Sequence, residues 1–159
     1  MVQGFLSVLI IWITIFVTAY IYFDNRIEPR VSVAKIDLKQ GEVVIPRSWD
    51  GHYYVHGSIN GYPIKFLVDT GASVVSVGTE FARIANLPKG KPASFATAGG
   101  VVQGEMVFDQ IIEAGGIEIN GLHVSVGLHG DVALLGQNFL RKIDVIQAND
   151  TMTLRIRAE

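Results

Sequence analysis

Between residues 46 and 159 the chain is punctuated by five turn dipeptides: Asp50-Gly51, Asn60-Gly61, Gly99-Gly100, Gly115-Gly116 and Asn120-Gly121. Asn, Asp and Gly tolerate the positive φ that a tight hairpin turn demands, and short apolar or alternating runs lie between them, which is the punctuation of an all-β domain. Asn60-Gly61 separates the alternating runs 53–59 and 62–68 and predicts a two-residue hairpin. Asn120-Gly121 predicts a second, joining residues 116–119 to 122–126. Two short helices break the pattern. Thr79 can cap one over residues 80–87, stopped by Pro88, and Gly136 opens another, C-terminal one over 137–142. The fold class is all-β with these two short helices.

Ahead of the strands, residues 5–23 run nineteen positions without a charge. As a helix this covers roughly 28 Å, close to the hydrocarbon thickness of a bilayer. Residues 1–4 carry no Lys or Arg, so the basic start of a cleaved leader is missing. Tyr20, Tyr22 and Phe23 stand where an interfacial aromatic belt belongs. Residues 1–23 therefore read as an uncleaved transmembrane anchor, residues 24–45 as a linker with a possible edge strand, and residues 46–159 as the folded domain. Arg26, Arg30 and Lys35 follow the anchor, which by the positive-inside rule favours a cytoplasmic domain. Anchors of this kind also carry domains outward, and the side stays open.

Composition narrows the function classes. The 159 residues carry a formal net charge of -2 and no basic run interleaved with aromatics, which removes the electrostatic basis for nucleic-acid binding. The absence of cysteine excludes disulfides, thiolate nucleophiles and thiolate metal sites together.

Chemistry concentrates around Asp69. In the run Leu67-Val68-Asp69-Thr70-Gly71-Ala72-Ser73 a carboxylate is bracketed by apolar residues, so folding draws it towards the core, where an isolated charge is costly. Gly71 permits a tight turn directly after it, and the hydroxyls of Thr70 and Ser73 can hydrogen-bond locally. Taken alone, such a tripeptide is equally a strand-ending turn.

A second run, Ala133-Leu134-Leu135-Gly136-Gln137-Asn138-Phe139-Leu140, changes the weighing. The pair of runs, in this order and at this separation, resembles the two signatures of the retropepsin-like aspartic proteases, in a membrane-anchored member of bacterial type. Residues 95–102 sit where that family has its flap. The resemblance covers about two-thirds of the chain. It implies a retropepsin-like acid-protease barrel and an aspartic endopeptidase that acts as a homodimer on a peptide or protein substrate, because one chain supplies one catalytic aspartate. Asp69 would be that residue, supported by Thr70, Gly71, Ala72 and Ser73. Thr70 would brace the partner loop, Gly71 would line the substrate backbone, and Ser73 would hydrogen-bond a carboxylate oxygen. Thr97, Ala98, Gly99, Gly100 and Val101 would form the flap, and Leu134, Leu135 and Gly136 the second signature. The resemblance also implies an inner-membrane protein facing the periplasm, against the local charge bias. No cofactor and no metal are called for.

Other candidates carry less. His52 and His56 share a strand face but lie roughly 13 Å apart, too far for one metal ion. His123 and His129 have no third ligand at motif spacing, and Ser76 and Ser125 lack a nucleophile-elbow context. The competing reading is a non-catalytic domain of the same fold, either peptide-binding or a membrane-tethered assembly module.

Overall fold

The Asn60-Gly61 signal is realised as a hairpin in the computed structural model, which describes residues 2–27, 35–37, 41–97, 99–128, 130 and 132–157. Within 2–27 the side chains described are those of residues 7–22, and within 35–37 the backbone alone is described. In chain order the elements are α1 (Val2–Ile27), β1 (Lys35–Asp37), β2 (Glu42–Pro46), β3 (Tyr54–Ile59), β4 (Tyr62–Val68), β5 (Val75–Gly78), α2 (Thr79–Ile84), β6 (Lys91–Thr97), β7 (Gly100–Ala114), β8 (Ile117–Leu128), β9 (Ala133–Leu135), α3 (Gln137–Leu140), β10 (Ile143–Ala148) and β11 (Thr151–Ile156). The chain divides into two compact units, residues 1–30 and 31–159.

The first unit is α1, 26 residues long. Its described apolar side chains are exposed around the helix, Trp12, Ile13, Phe16 and Tyr20 among them. Thr14 and Thr18 return their hydroxyls to the carbonyls of Ile10 and Thr14, so neither needs an outside partner for its donor. The expected anchor, 5–23, extends past the described side chains at both ends. Residues 7–22 cover about 24 Å, short of the roughly 30 Å of a bilayer core. Among the described residues, no helix is long and apolar enough to cross a membrane.

In the second unit β3 and β4 pair with Ile59 opposite Tyr62, and both turn residues take positive φ, 51° at Asn60 and 82° at Gly61. A seven-stranded sheet runs in the order β3-β4-β9-β5-β8-β7-β6, and β3 also pairs with the far end of β7. That extra ladder closes six strands into a ring, leaving β6 outside as one arm of a projecting hairpin. A second sheet, β1-β2-β11-β10, completes the unit. One core joins them, centred on fully buried Phe66, Phe139, Ile59, Ile112, Leu135, Ile45 and Leu154.

Two expectations are corrected. Asn120-Gly121 makes no hairpin. The chain reverses at Gly115-Gly116, where Ala114 faces Ile117, and β8 runs straight through 120–121. Gly121 and Asp109 both take positive φ where the β7–β8 register slips, so the dipeptide serves a bulge. A bulge needs the same backbone freedom as a turn, which is why the residues alone point to either. The other correction concerns the linker in 24–45: the possible edge strand there is present as β1, at the edge of the second sheet, but the last residues form β2, which pairs with both β1 and β11 and buries Val43 and Ile45 completely.

Both expected helices are present but shorter. The N-cap of α2 is Gly78, not Thr79, with no side-chain cap bond, and Asn86 at φ 48° lies just past its end. The four residues of α3 follow an extended Gly136.

The approach to β3 is held by a small polar cluster. Asp50 accepts hydrogen bonds from the Tyr54 hydroxyl at 2.7 Å and the His52 amide at 3.0 Å. Burial, then the hydrogen bond to Asp50 and its charge, push the Tyr54 phenol up to about 12. Burial works to raise the Asp50 carboxyl, but its hydrogen bonds and the neighbouring His52 outweigh it and hold the group below its ordinary value.

Candidate active site

Strand β9 is what places Asp69. It threads between β4 and β5, parallel to the first (Phe66, Leu67 and Val68 against Ala133, Leu134 and Leu135) and antiparallel to the second (Leu134 against Ser76). The chain leaving β4 must therefore pass over the end of β9 before it re-enters the sheet as β5, and residues 69–74 are that crossing loop. Asp69 is its first residue and is half-buried, while Thr70, Gly71 and Ser73 are exposed.

The loop is pinned from beneath by the second signature. The Asp69 amide donates to the Leu135 carbonyl at 3.1 Å. The Gln137 and Asn138 amides donate to the carbonyls of Ala72 and Ser73 at 2.8 and 3.1 Å. Gln137 Nε2 reaches the Thr70 carbonyl at 2.9 Å. Asn138 accepts from the Val75 amide at 2.9 Å and donates to the His123 carbonyl at 2.7 Å, tying the loop's exit to β8. Gly136 lets the two segments touch: a Cβ there would stand 2.3 Å from the Val74 carbonyl oxygen. The carbonyls of Thr70, Ala72 and Ser73, which the crossing removes from the sheet, thus each find a donor.

At the carboxylate itself, Asp69 Oδ1 accepts the Gly71 amide at 2.8 Å, and the Ala72 amide points back to the Asp69 carbonyl at 3.3 Å. This is an Asx turn, which aims the side chain without help from another side chain. Ser73, expected to hydrogen-bond the carboxylate, does not do so within one chain. Among the described residues the hydroxyls of Thr70 and Ser73 have no partner, and both are presented outward beside Asp69.

The flap expectation falls on the hairpin of β6 and β7. Thr97 pairs with Gly100 and its hydroxyl donates to the Gly100 carbonyl at 2.8 Å. Gly99 and Gly100 are exposed, Gly100 at φ 116°, and Val101 is 70% exposed. Ala98 lies outside the described residues.

Residue-level reading passed over one layer. Leu67, Leu134, Ser76, Ser125 and Met106 stand side by side across β4, β9, β5, β8 and β7, on the opposite side of the sheet from Phe66, Val68, Leu135 and Val124. Leu67 and Leu134 are half-buried, and Leu67 is two residues before Asp69, hence on the same side of the chain's path. Ser125 donates to Ser76 at 2.7 Å and Ser76 to the Val74 carbonyl at 3.1 Å, so the two serines set aside as nucleophiles form a hydroxyl chain that holds the loop. The available signal was a serine between two valines in each strand, Val75-Ser76-Val77 and Val124-Ser125-Val126.

Comparison with known proteins agrees with this geometry. The model of the family described as "gag-polyprotein putative aspartyl protease" matches residues 55–142, a stretch containing both signatures. An uncharacterized protein of Rickettsia prowazekii (strain Madrid E) is 28% identical over 155 residues, covering 89% of this chain and 67% of that one. An uncharacterized protein from the cobV 5′ region of a Sinorhizobium species is 32% identical over 160 residues, with the same coverage of 89% and 67%. The crystal structure of a retropepsin-like aspartic protease from Rickettsia conorii superposes with a TM-score of 0.65 at 30% identity, covering 73% of this chain and 91% of that one. With the family model matched over more than half its length and the barrel shared with that enzyme, the chain belongs to the retropepsin-like aspartic protease family.

Proposed function

We propose that the chain is an aspartic endopeptidase whose working unit is a homodimer, with Asp69 and Asp69 of the partner subunit forming the catalytic pair. The observation that carries this is the loop 69–73: one Asp-Thr-Gly per chain, with an aimed carboxylate and two exposed, unpartnered hydroxyls beside it. A two-fold axis at that loop gives each hydroxyl a partner and brings two carboxylates together. Adjacent carboxylates do not both ionise comfortably, so the pair holds one proton between them. The ionised member takes a proton from a water lying between the two. The protonated member donates to the scissile carbonyl, and a tetrahedral intermediate forms without an acyl-enzyme. The hairpin of β6 and β7 folds over an extended peptide and pairs with it as a strand would. Leu67 and Leu134 offer apolar surface to side chains flanking the scissile bond.

A mixing experiment tests the shared pair. An equal mixture of wild-type and Asp69→Asn chains, allowed to exchange, is expected to show about a quarter of the peptide-cleaving activity of the same total amount of wild-type chain, since random pairing leaves one dimer in four intact. Retention of half would mean that each chain cleaves by itself and would end the dimer reading.

We further propose that α1 anchors the enzyme in the bacterial inner membrane as a single pass. The support is the uncharged run 5–23, longer than the stretch of described side chains, together with the exposed apolar side chains of α1. Confinement to a bilayer raises the effective concentration of a weak dimer. The full chain is expected to stay with the membrane fraction through an alkaline carbonate wash and to leave it once residues 1–27 are deleted. A full chain found in the wash would refute the anchor.

A further inference from the structure

A cavity of about 430 Å³ opens between β8 and α3, lined by Gly121, Leu122, His123, Asn138, Arg141 and Lys142 and by no residue of the loop 69–73. Its charge is one-sided where α3 ends. Of the arginines with described side chains, Arg47, Arg83, Arg155 and Arg157 each pair with a carboxylate. Among the described residues Arg141 has no such partner: its Nε donates to the Gln137 carbonyl at 3.2 Å, and Lys142 beside it has no carboxylate partner there either. On the opposite rim stands Asp109, whose Oδ1 would lie 3.7 Å from a Cβ at Gly121. The rest of the lining is apolar or already satisfied. Leu122 is buried, the His123 ring is fixed edge-on to Phe108 at 4.6 Å, and both ends of the Asn138 amide are committed to backbone.

Two cations with no carboxylate partner among the described residues stand at one end of this cavity, with buried Leu122 and the His123 ring at the other, and match a ligand that is dianionic at one end and apolar or aromatic at the other. We propose that this cavity binds a phosphorylated small molecule, with the phosphate on Arg141 and Lys142 and the organic body against Leu122 and the His123 ring. The guanidinium fork suits a phosphate better than a single carboxylate does, because its free terminal nitrogens can take two oxygens at once. The volume lies in the range of small-molecule sites and exceeds what a bare inorganic ion fills.

The test is calorimetric titration of the purified full chain with phenyl phosphate, inorganic phosphate and phenol. Phenyl phosphate is expected to bind saturably and at least about tenfold more tightly than either of the others, since only it engages both ends. Arg141→Met combined with Lys142→Met is expected to weaken it about tenfold or more with the thermal unfolding midpoint unchanged. Arg141→Gln alone supplies the same comparison should the double variant unfold. Asp69→Asn is expected to leave the affinity as it is, which separates this cavity from the active site. Absence of saturable phenyl phosphate binding, a double variant that binds as tightly as wild type, or loss of binding in Asp69→Asn would each overturn the assignment.

Discussion

Asp69→Asn is expected to lower peptide cleavage by about a thousandfold or more while the domain stays folded. The two halves of that expectation come from different atoms. Within one chain the carboxylate makes a single hydrogen bond, accepted by Oδ1 from the Gly71 amide, and the carbonyl oxygen of asparagine accepts it equally well. The Asx turn and the loop should survive. What disappears is the group able to take a proton from water and hand one to the scissile carbonyl, in both copies of the chain at once. Cleavage of a peptide library by wild type and variant, with near-ultraviolet circular dichroism as the check on folding, decides it. A folded variant that keeps a tenth of the wild-type rate would remove Asp69 from the mechanism.

Gly136→Ala is expected to cost about 3 kcal/mol of stability and most of the activity. Backbone conformation is not the reason, since Gly136 sits at φ -90°, which any residue adopts. The missing side chain is. An added methyl would stand 2.3 Å from the Val74 carbonyl oxygen and crowd the rest of that peptide group, and backbone cannot swing aside as a flexible side chain can. Relief requires lifting residues 72–74 off Gln137 and Asn138, which breaks the bonds that hold the catalytic loop. Against a typical total stability of roughly 5–15 kcal/mol this is a large fraction. Urea unfolding of variant and wild type measures it, and a loss below about 1 kcal/mol would show that the crossing is looser than its contacts imply.

How far the sequence carries depends on what kind of contact is involved. Asn60-Gly61 was legible because flanking alternation and turn residues agree on one local structure. Asn120-Gly121 misled because the same dipeptide suits a bulge, and only the partner strand's register, set by residues 105–114, decides between the two. The segment at 42–46 looked like tether because its partner, β11, is a hundred positions away and invisible to local pattern. Both signatures around Asp69 could be recognised from their residues, yet their division of labour could not. Nothing in Gln137 or Asn138 as letters reveals that their amides and side chains hold the loop, or that Ser76 and Ser125 form a hydroxyl chain beneath it. Such roles arise from threading one strand between two others, a relation between distant parts of the chain.

The pairing of β2 with β11 also bears on when the domain can finish folding. The ladder partner of Val43 and Ile45 on this side is residues 151–155, so a ribosome must translate almost the whole domain before β2 can be paired into its place between β1 and β11. A partly made chain therefore has its aspartate loop well before the second sheet is complete.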